Sequence, residues 1–390
     1  MKLNVSRTIF VGFAFFLICT FWQVYDNIIP KILTDKFGMA QSLSGAVMAL
    51  DNVLALFLLP LFGAISDRHR SRLGRRTPFI IFGTVLAAVF LVALSFADNM
   101  QLENLRHVDI DNPTALETLY DADLTITTPE GETVVIQEAF SRSDFTSISM
   151  TLTDDETGAR VTNPAYTNYV VPARQAYAWR QTTQEPLPII LFMAILFILL
   201  LSMATFRSPA VALMPDVTIK PLRSKANSII NLMGAAGGII MLIMGMVFRT
   251  GSPENALMSY TGFFAVASGV MLVSLLIFLW KVKEPRFVAE MREESRKYGI
   301  DDKDEEKELS GGKKLSREER KSLLLILASV VLWFMGYNAV TSKYSVYAGK
   351  VLNLDYNATL TIATGAAILA YIPVGIVASK IGRKKTILGG

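Results

Sequence analysis

Residues 63–78 read GAISDRHRSRLGRRTP, and residues 375–384 read GIVASKIGRK. Each stretch follows an apolar segment that is long enough to cross a bilayer, which requires roughly 20 residues. Each begins with a small residue, continues through a polar pair and ends in a glycine followed by two cations. Two copies of one pattern at corresponding ends of apolar segments indicate a membrane protein built from two repeats.

The repeated pattern resembles the sequence G-x-x-x-D-R-x-G-R-[KR], which joins the second and third helices in each half of major facilitator transporters. The first copy has four extra residues before Gly74-Arg75-Arg76, a spacing similar to that of the glycoside-pentoside-hexuronide cation symporters of the sucrose-transporter-like branch. The second copy keeps the common spacing, with Ser379 at the acidic position. The resemblance implies an all-α major facilitator fold, in which two six-helix halves enclose a central site and rock to expose it to either side.

The composition also places most of the chain in lipid. It is 52% hydrophobic and 18% charged, with a mean hydropathy of +0.39, which is far from the average of soluble domains. The single cysteine, Cys19, excludes an intrachain disulfide, and two histidines are too few for a histidine-based metal site or catalytic triad. We therefore expect no metal, no cofactor, no enzyme activity and no nucleic-acid partner.

Eight apolar stretches reach the length of a spanning helix, roughly 20 residues. They cover residues 8–34, 41–66, 77–97, 187–215, 225–248, 259–281, 321–348 and 357–379. The first is too long for a signal peptide and lacks a small-residue cleavage site, so we expect it to stay attached. Because the family has twelve helices, we interpret the chain as a fragment or a truncated product whose second half is incomplete.

The loop cations predict the orientation. The loop at 67–76 has five Arg, the loop at 216–225 has three cations, and the linker at 282–320 is dense in Lys and Arg. These segments and the N-terminus are predicted to be cytoplasmic. Residues 98–185, with fifteen acidic residues, five Arg and no Lys, are then extracytoplasmic. We predict an integral protein of the plasma (inner) membrane.

Five units follow from these boundaries. They are residues 1–97 with helices 1–3, an extracytoplasmic insert at 98–186, residues 187–281 with helices 4–6, a cytoplasmic linker at 282–320, and residues 321–390 with helices 7–8 and the beginning of helix 9. The insert departs from the family pattern. Alternating apolar residues at 124–128 and 133–137 flank a Gly-containing turn and predict a hairpin, and residues 145–152 predict a further strand. We expect a small β-rich domain that captures a glycan, contacts the cell envelope or shields the outer opening of the central site.

Ionisable residues inside a span are costly and are therefore candidates for function. Asp26, Asp51 and Arg207 are the three that stand out. With a helical rise of about 1.5 Å per residue, the two acids share a level in the outer half, whereas Arg207 belongs to a lower layer. A carboxylate in a medium of low dielectric suits the uptake and release of a proton.

Asp26 belongs to an aromatic and amide-rich run that suits a sugar. Trp22, Gln23 and Tyr25 precede it in the first span. Aromatic rings stack on sugar rings, and carboxylates and amides bond hydroxyls. The run therefore predicts a sugar-binding or proton-carrying surface; the alternative is an acid near the outer rim, with Tyr25 as an interface anchor.

Asp51 and Asn52 lie near the start of the second span. In the melibiose-carrier branch this helix carries an acid pair spaced D-x-x-x-D-P that binds sodium or protons, but Ala55 and Leu59 stand at those positions here. The resemblance therefore does not support a sodium site and makes Asp51, one turn earlier, the expected proton carrier. The alternative for Asp51 is a structural hydrogen bond to a neighbouring helix.

Arg207 lies in a run similar to the fourth helix of the sucrose carriers. The substrate-linked arginine of plant-type members matches Val211, so Arg207 is a shifted analogue that pairs with an acid, binds substrate hydroxyls or snorkels to the edge. Asn227 and Asn231, one turn apart in the fifth span, are expected to face the cavity.

The resemblance also implies a gate on the cytoplasmic side. Its residues would form ion pairs that hold this side shut and break as the halves rock. They are Gly63, Asp67, Arg68, Gly74, Arg75, Arg76, Asp216, Arg223, Gly375, Gly382, Arg383 and Lys384. Positive-inside topology alone would explain the cations, but not Asp67 or the paired glycines.

Together these observations predict secondary active transport of a sugar or glycoside with protons moving in the same direction. The expected partners are the sugar, protons and the lipid bilayer. Two alternatives stay open: a proton-coupled exporter of another small solute, and a non-transporting membrane receptor that binds its ligand with the insert.

Overall fold

The computed structural model describes residues 3–129, 131–153, 160–300, 316–352 and 354–381, the last eleven of them by backbone only. Helices dominate this part of the chain. Seven of them are long and apolar enough to cross a membrane, and they match seven of the predicted spans. The eighth predicted span coincides with a further helix of 26 residues, Tyr356–Ile381.

The elements follow in chain order. They are α1 Val5–Lys31 with a π-helical turn at Ile32–Lys36, α2 Gln41–Met48, α3 Leu50–Arg68, α4 Thr77–Leu105, α5 Ala115–Asp121, β1 Thr125–Thr127, β2 Thr133–Val135, α6 Ile136–Ala139, α7 Arg142–Thr146, β3 Thr151–Thr153, β4 Arg160–Thr162, a π-helical turn at Tyr166–Val170, α8 Val171–Gln184, α9 Leu187–Asp216, α10 Arg223–Val247, α11 Thr261–Lys281, α12 Glu284–Lys297, α13 Arg317–Lys350 and α14 Tyr356–Ile381. Helices α2 and α3 together form the second span.

The first six spans pack into one bundle. Helix α4 lies against α9 and α11, α1 lies against α10 and α11, and α3 lies against α9. Small residues allow the close approaches that membrane helices require. A Cβ atom on Gly237 of α10 would lie 2.7 Å from the carbonyl oxygen of Phe16 in α1, so a larger residue there would force the two helices apart.

The bundle has two chemically distinct ends. We call the end with the loop between α3 and α4 the arginine face, and the end with residues 106–186 the insert face. Helices α13 and α14 contact the first six spans near the insert face, where Lys350 Nζ lies 2.8 Å from Asp35 and the Tyr356 hydroxyl lies 2.6 Å from Thr250 Oγ1. Toward the arginine face, the residues of α13 from Arg317 to Tyr337 are exposed. The contacts between the two halves are therefore concentrated at the insert face.

The insert is mainly helical, so the expectation of a β-rich domain is corrected. The first hairpin is present, with Ile126 of β1 opposite Val134 of β2. The strand predicted at 145–152 is wrong at its start, because α7 occupies Arg142–Thr146; only Thr151–Thr153 is extended, paired with β4. Ser141 accepts a hydrogen bond from the backbone N–H of Asp144, and this N-terminal cap favours the helical turn.

The insert is tied firmly to the spans beneath it. Helix α4 continues to Leu105, beyond its predicted end. Gly38 has φ +66°, and a Cβ atom there would lie 2.3 Å from the Gln175 carbonyl oxygen of α8. The hydroxyl of Thr182, also in α8, donates to the carbonyl oxygen of Phe37 at 3.0 Å. Helix α8 therefore rests directly on the turn that ends α1.

Candidate functional site: a charged cluster inside the bundle

Three spans place charged and aromatic side chains together inside the bundle. The guanidinium carbon of Arg207, from α9, lies 4.9 Å from the ring centroid of Trp22, from α1, a cation–π distance. Asp51, from α3, lines the same small cavity as these two side chains. Asp26 lies one turn above Trp22 in α1, and its charge interacts with those of Asp51 and Arg207. The three ionisable residues predicted from the sequence thus form one cluster.

The predicted separation of Arg207 into a lower layer does not hold for its charged group. Counting the helical rise gives the height of Cα atoms only, and the long arginine side chain reaches the cavity that Asp51 lines. In the described part of the chain, neither Asp26 nor Asp51 forms an ion pair with Arg207 within 4.0 Å. The guanidinium and the carboxylates therefore keep hydrogen-bonding capacity for a ligand.

The aromatic residues beside the cluster carry buried polar atoms without partners. The Nε1 atom of Trp22 and the hydroxyl of Tyr25 are both buried and make no hydrogen bond in the described structure. The two rings meet edge to face, with centroids 5.3 Å apart. An unsatisfied buried donor costs about 1–3 kcal/mol, so a hydroxylated ligand within reach of these atoms would lower the free energy of the site.

The predicted amides divide between the cluster and other places. Asn52 donates to Asp51 Oδ1 at 2.9 Å and accepts from Asn338 of α13 at 3.1 Å, so it links the cluster to the second half. Gln23 lies instead beside α10, where a Cβ atom on Gly238 would be 3.3 Å from its Oε1 atom. Asn227 and Asn231 are exposed on α10 and are not among the described residues that line the small cavity at Trp22 and Arg207, so their place on the central cavity stays a prediction.

The arginine face holds a network of ion pairs. Arg76 donates through Nε to Asp216 Oδ2 at 2.9 Å and forms a second ion pair with Asp67. Arg75 lies 3.4 Å from the same oxygen of Asp216. The network thus joins the end of α3, the start of α4 and the end of α9, all within the first six spans, and its role as a gate stays a prediction.

The other gate residues take different positions. Arg68 is exposed, and Arg223 donates to the carbonyl oxygens of Thr218 and Pro215 in the turn between α9 and α10. A Cβ atom on Gly63 would lie 3.0 Å from Ser208 Oγ, so this glycine allows α3 to approach α9. Of the second copy, Gly375 is described by its backbone within α14, and Gly382, Arg383 and Lys384 lie outside the described residues.

Comparison with known families agrees with this architecture. The family profile of the Major Facilitator Superfamily matches residues 11–103 and 178–390. The chain belongs to the Major Facilitator Superfamily. The residues between the two matched segments contain most of the insert, the part of the chain that the sequence predicts to depart from the family pattern.

Two relatives of this facilitator are named as symporters. An uncharacterized symporter of Synechocystis sp. is 38% identical over 61 residues, which cover 16% of this chain and 11% of the relative. YagG of Escherichia coli (strain K12), named as a candidate glycoside/cation symporter, is 31% identical over 64 residues, which cover 16% of this chain and 14% of the relative. The chain thus spans a small part of the length of the curated relatives it matches. No solved structure matches it.

Sequence reasoning missed one residue of the facilitator's arginine face, Glu284. Its carboxylate accepts hydrogen bonds from the backbone N–H groups of Arg75 at 2.6 Å, Arg76 at 3.0 Å and Thr77 at 2.8 Å, and from the Thr77 hydroxyl at 2.7 Å. The site is the N-terminus of α4, which favours a negative charge. Gly74 has φ +112°, and a Cβ atom there would lie 2.2 Å from the carboxyl carbon of Glu284.

The sequence around Glu284 indicates a helix start but not the burial of its carboxylate. Glu284 and Pro285 follow the sixth span directly, and a proline in the first turn is typical of a helix start. The sequence analysis assigns Glu284 to the cytoplasmic linker at 282–320, which is dense in charged residues. The structure instead buries Glu284, which is 2% exposed, and uses it to fasten α12 to the loop between α3 and α4.

We expect the substitution Glu284→Gln to lower the free energy of unfolding by about 2 kcal/mol, because it replaces charge-assisted hydrogen bonds and directs an amide donor at backbone donors. The measurement is chemical unfolding of the purified protein in detergent. Glu293→Gln, on the exposed side of the same helix, is the matched control and should change stability by no more than about 0.5 kcal/mol. Equal effects of the two variants would contradict the assigned fastening role.

Proposed function

We propose that this facilitator carries a sugar or glycoside together with protons across the plasma (inner) membrane by alternating access. The observation that carries the proposal is the cluster of Trp22, Asp26, Asp51 and Arg207 inside the bundle. Ionisable groups at membrane depth are costly and mark substrate and ion pathways. A protein with only a structural role in lipid has no need to keep three of them together.

The chemistry of the cluster suits a sugar. Sugars present an apolar ring face and many hydroxyl groups, which aromatic side chains and charged hydrogen-bonding groups recognise. Trp22 and Tyr25 supply aromatic rings with unpaired donors, and Arg207 supplies a guanidinium fork. The name of the relative YagG, which includes a glycoside and a cation, supports the same substrate class.

The two acids supply the coupling. A carboxylate held in a low-dielectric interior next to a second carboxylate is expensive as a charged pair, and binding a proton neutralises it. Asp26 and Asp51 are close enough for their charges to interact, with Arg207 beside them. Substrate binding that changes the contacts of Arg207 would alter how strongly the acids hold a proton, which links proton movement to sugar movement.

The distribution of contacts supports alternating access. The halves touch near the insert face through Lys350 and Asp35, and α13 is exposed toward the arginine face. The excess of cations on loops of the arginine face favours a cytoplasmic location for it. In this proposal the structure represents a state closed to the outside, in which the Arg76 network holds the ends of α3, α4 and α9 together while the second half moves.

Proteoliposomes with an internal pH-sensitive dye test the proposal. Addition of α-glucosides and β-glycosides should cause acidification of the interior with at least one sugar, and an uncoupler should abolish the signal. Sugar entry without acidification would contradict proton symport. If no sugar moves and no proton enters in correctly folded protein, the sugar-transport proposal is wrong and a receptor role gains support.

A further inference from the structure

A second and larger cavity lies at the insert face. It has a volume of about 710 Å³ and is bounded by the insert, the end of α1 and the end of α13. Small-molecule sites in proteins are clefts of about 300–1,000 Å³, so its size is that of a ligand site. It shares no lining residue with the small cavity at Trp22 and Arg207.

The lining of this insert-face cavity is cationic. Lys31, Lys343, Lys350 and Arg174 line it, and among the described lining residues Asp35 is the one acid. Its carboxylate is already paired with Lys350 at 2.8 Å. The insert as a whole is acidic, so composition does not account for the positive lining. A buried excess of one charge is costly unless a counter-charge is present.

Two donors in the lining are buried without partners. Arg174 is 5% exposed; one of its terminal nitrogens donates to the Tyr166 hydroxyl at 2.5 Å, but its Nε atom makes no hydrogen bond with any residue that the structure describes. Ser345 is 1% exposed, and its hydroxyl also makes none with the described residues. Both residues line the cavity. A buried donor left unsatisfied is destabilising, and an acceptor within the cavity would relieve this cost.

The remaining cations are held in place by the protein. Lys31 donates to the carbonyl oxygen of Thr250 at 2.7 Å, and Lys343 donates to Gln41 Oε1 at 3.2 Å. These neutral partners orient the ammonium groups, and Lys31 also interacts with the charges of Asp35 and Asp355. Apolar side chains such as Val171, Pro172 and Val346 complete the wall. The cavity therefore combines a fixed positive field with surface for the body of a ligand.

We propose that the insert-face cavity binds a soluble small organic anion through a carboxylate or phosphate group. The guanidinium of Arg174 suits the planar or bidentate geometry of such groups, and Ser345 adds a neutral donor. Because the lining comes from α1, α13 and the insert, the bound anion bridges both halves of the protein. Binding stabilises the arrangement in which the halves touch at the insert face.

Isothermal titration of the full chain in detergent micelles tests this site without any transport assay. The probes are D-gluconate and D-glucose 6-phosphate, with D-glucose as the neutral match. We expect at least one anionic probe to bind about tenfold or more tightly than D-glucose. A hydrogen bond to a charged group contributes enough binding free energy for an affinity ratio of that size. Added salt should weaken the binding of that anion.

Variants assign the binding to this cavity. Arg174→Gln should weaken anion binding by about tenfold or more. Lys343→Gln, at a half-buried position, should also weaken it and serves if the first variant does not fold. Arg142→Gln, on the exposed surface of the insert, is the control and should leave the affinity unchanged. Arg207→Gln should also leave it unchanged, because Arg207 lies in the other cavity.

Three results would overturn the proposal. One is an affinity for both anionic probes that is unchanged in Arg174→Gln and in Lys343→Gln. Another is anion binding that disappears in Arg207→Gln but persists in Arg174→Gln, which would place the anion at the inner cluster. The third is binding of phosphatidylglycerol that Arg174→Gln weakens, together with no binding of either soluble anion, since a lipid headgroup would then be the occupant. None of these results depends on whether the protein transports sugar.

Discussion

Sugar-driven proton entry should be lost when Asp51 is replaced by Asn, with a fall on the order of a hundredfold or more, the scale of rate loss when a proton-transferring side chain is removed. Asn keeps the shape and the hydrogen bonding of Asp51 but cannot bind and release a proton. Asp51 lines the cavity with Arg207 and accepts from Asn52, and both contacts tolerate an amide. We therefore expect exchange of sugar for sugar across the membrane to continue in this variant.

A variant that still exchanges sugar for sugar but no longer admits protons is folded and has lost only the coupling. Asp26→Asn should give the same pattern if both acids share the proton, since their charges interact; a defect in one variant alone identifies the carrier. Asp121→Asn, on the exposed surface of the insert, is the matched control and should transport normally. Normal proton entry in both inner variants would remove the acids from the mechanism, whatever the sugar.

The largest loss of stability should come from breaking a buried ion pair near the insert face. Lys36 Nζ lies 2.6 and 2.7 Å from the two carboxylate oxygens of Asp98, and both side chains are 0% exposed. The ammonium group also donates to the carbonyl oxygen of Met258 at 2.7 Å and lies 4.4 Å from the ring centroid of Tyr260. Burial, together with nearby Tyr356 and acidic groups, raises the pKa of Tyr260 well above its ordinary value, so this ring stays neutral beside the cation.

Asp98→Asn should lower the free energy of unfolding by about 3–5 kcal/mol, because it leaves the Lys36 charge buried without a counter-charge. Thermal and chemical unfolding in detergent, followed by circular dichroism, measure the change. The double variant Lys36→Met with Asp98→Leu should recover most of it, since an apolar pair of similar volume removes the uncompensated charge.

An exposed ion pair provides the control for the Asp98 and Lys36 variants. Glu254→Gln breaks the surface pair with Arg249 and should cost no more than about 1 kcal/mol. A loss of that small size for Asp98→Asn would mean that water reaches Lys36 and that the pair is not buried in solution.

The sequence was sufficient for the spans because hydropathy over some 20 residues is a local property. It also singled out Asp26, Asp51 and Arg207, because a charge inside an apolar run is unusual wherever the run packs. It did not predict the Lys36–Asp98 pair, which joins residues 62 positions apart in two helices. Lys36 stood at a predicted loop boundary and Asp98 at the start of the insert, where charges are normally solvated.

Glu284 and the insert helices were missed for related reasons. The burial of Glu284 depends on the return of α12 to the start of α4, which no local pattern encodes. In the insert, short alternating stretches predicted strands, but a capped helix at Arg142–Thr146 packs Phe145 into the core of the insert. Tertiary packing decided between the two conformations of a short apolar segment.

The side-by-side packing of α4 and α9 has a consequence for how this chain could arise. The insert leaves α4 after Leu105 and returns to α9 at Leu187, so its two attachment points belong to helices that are already neighbours. The entropic cost of closing such a connection rises by only about 0.6 kcal/mol for each doubling of its length. An external module can therefore be acquired, exchanged or lost at this position in a single genetic event, while the order and pairing of the spans are inherited unchanged.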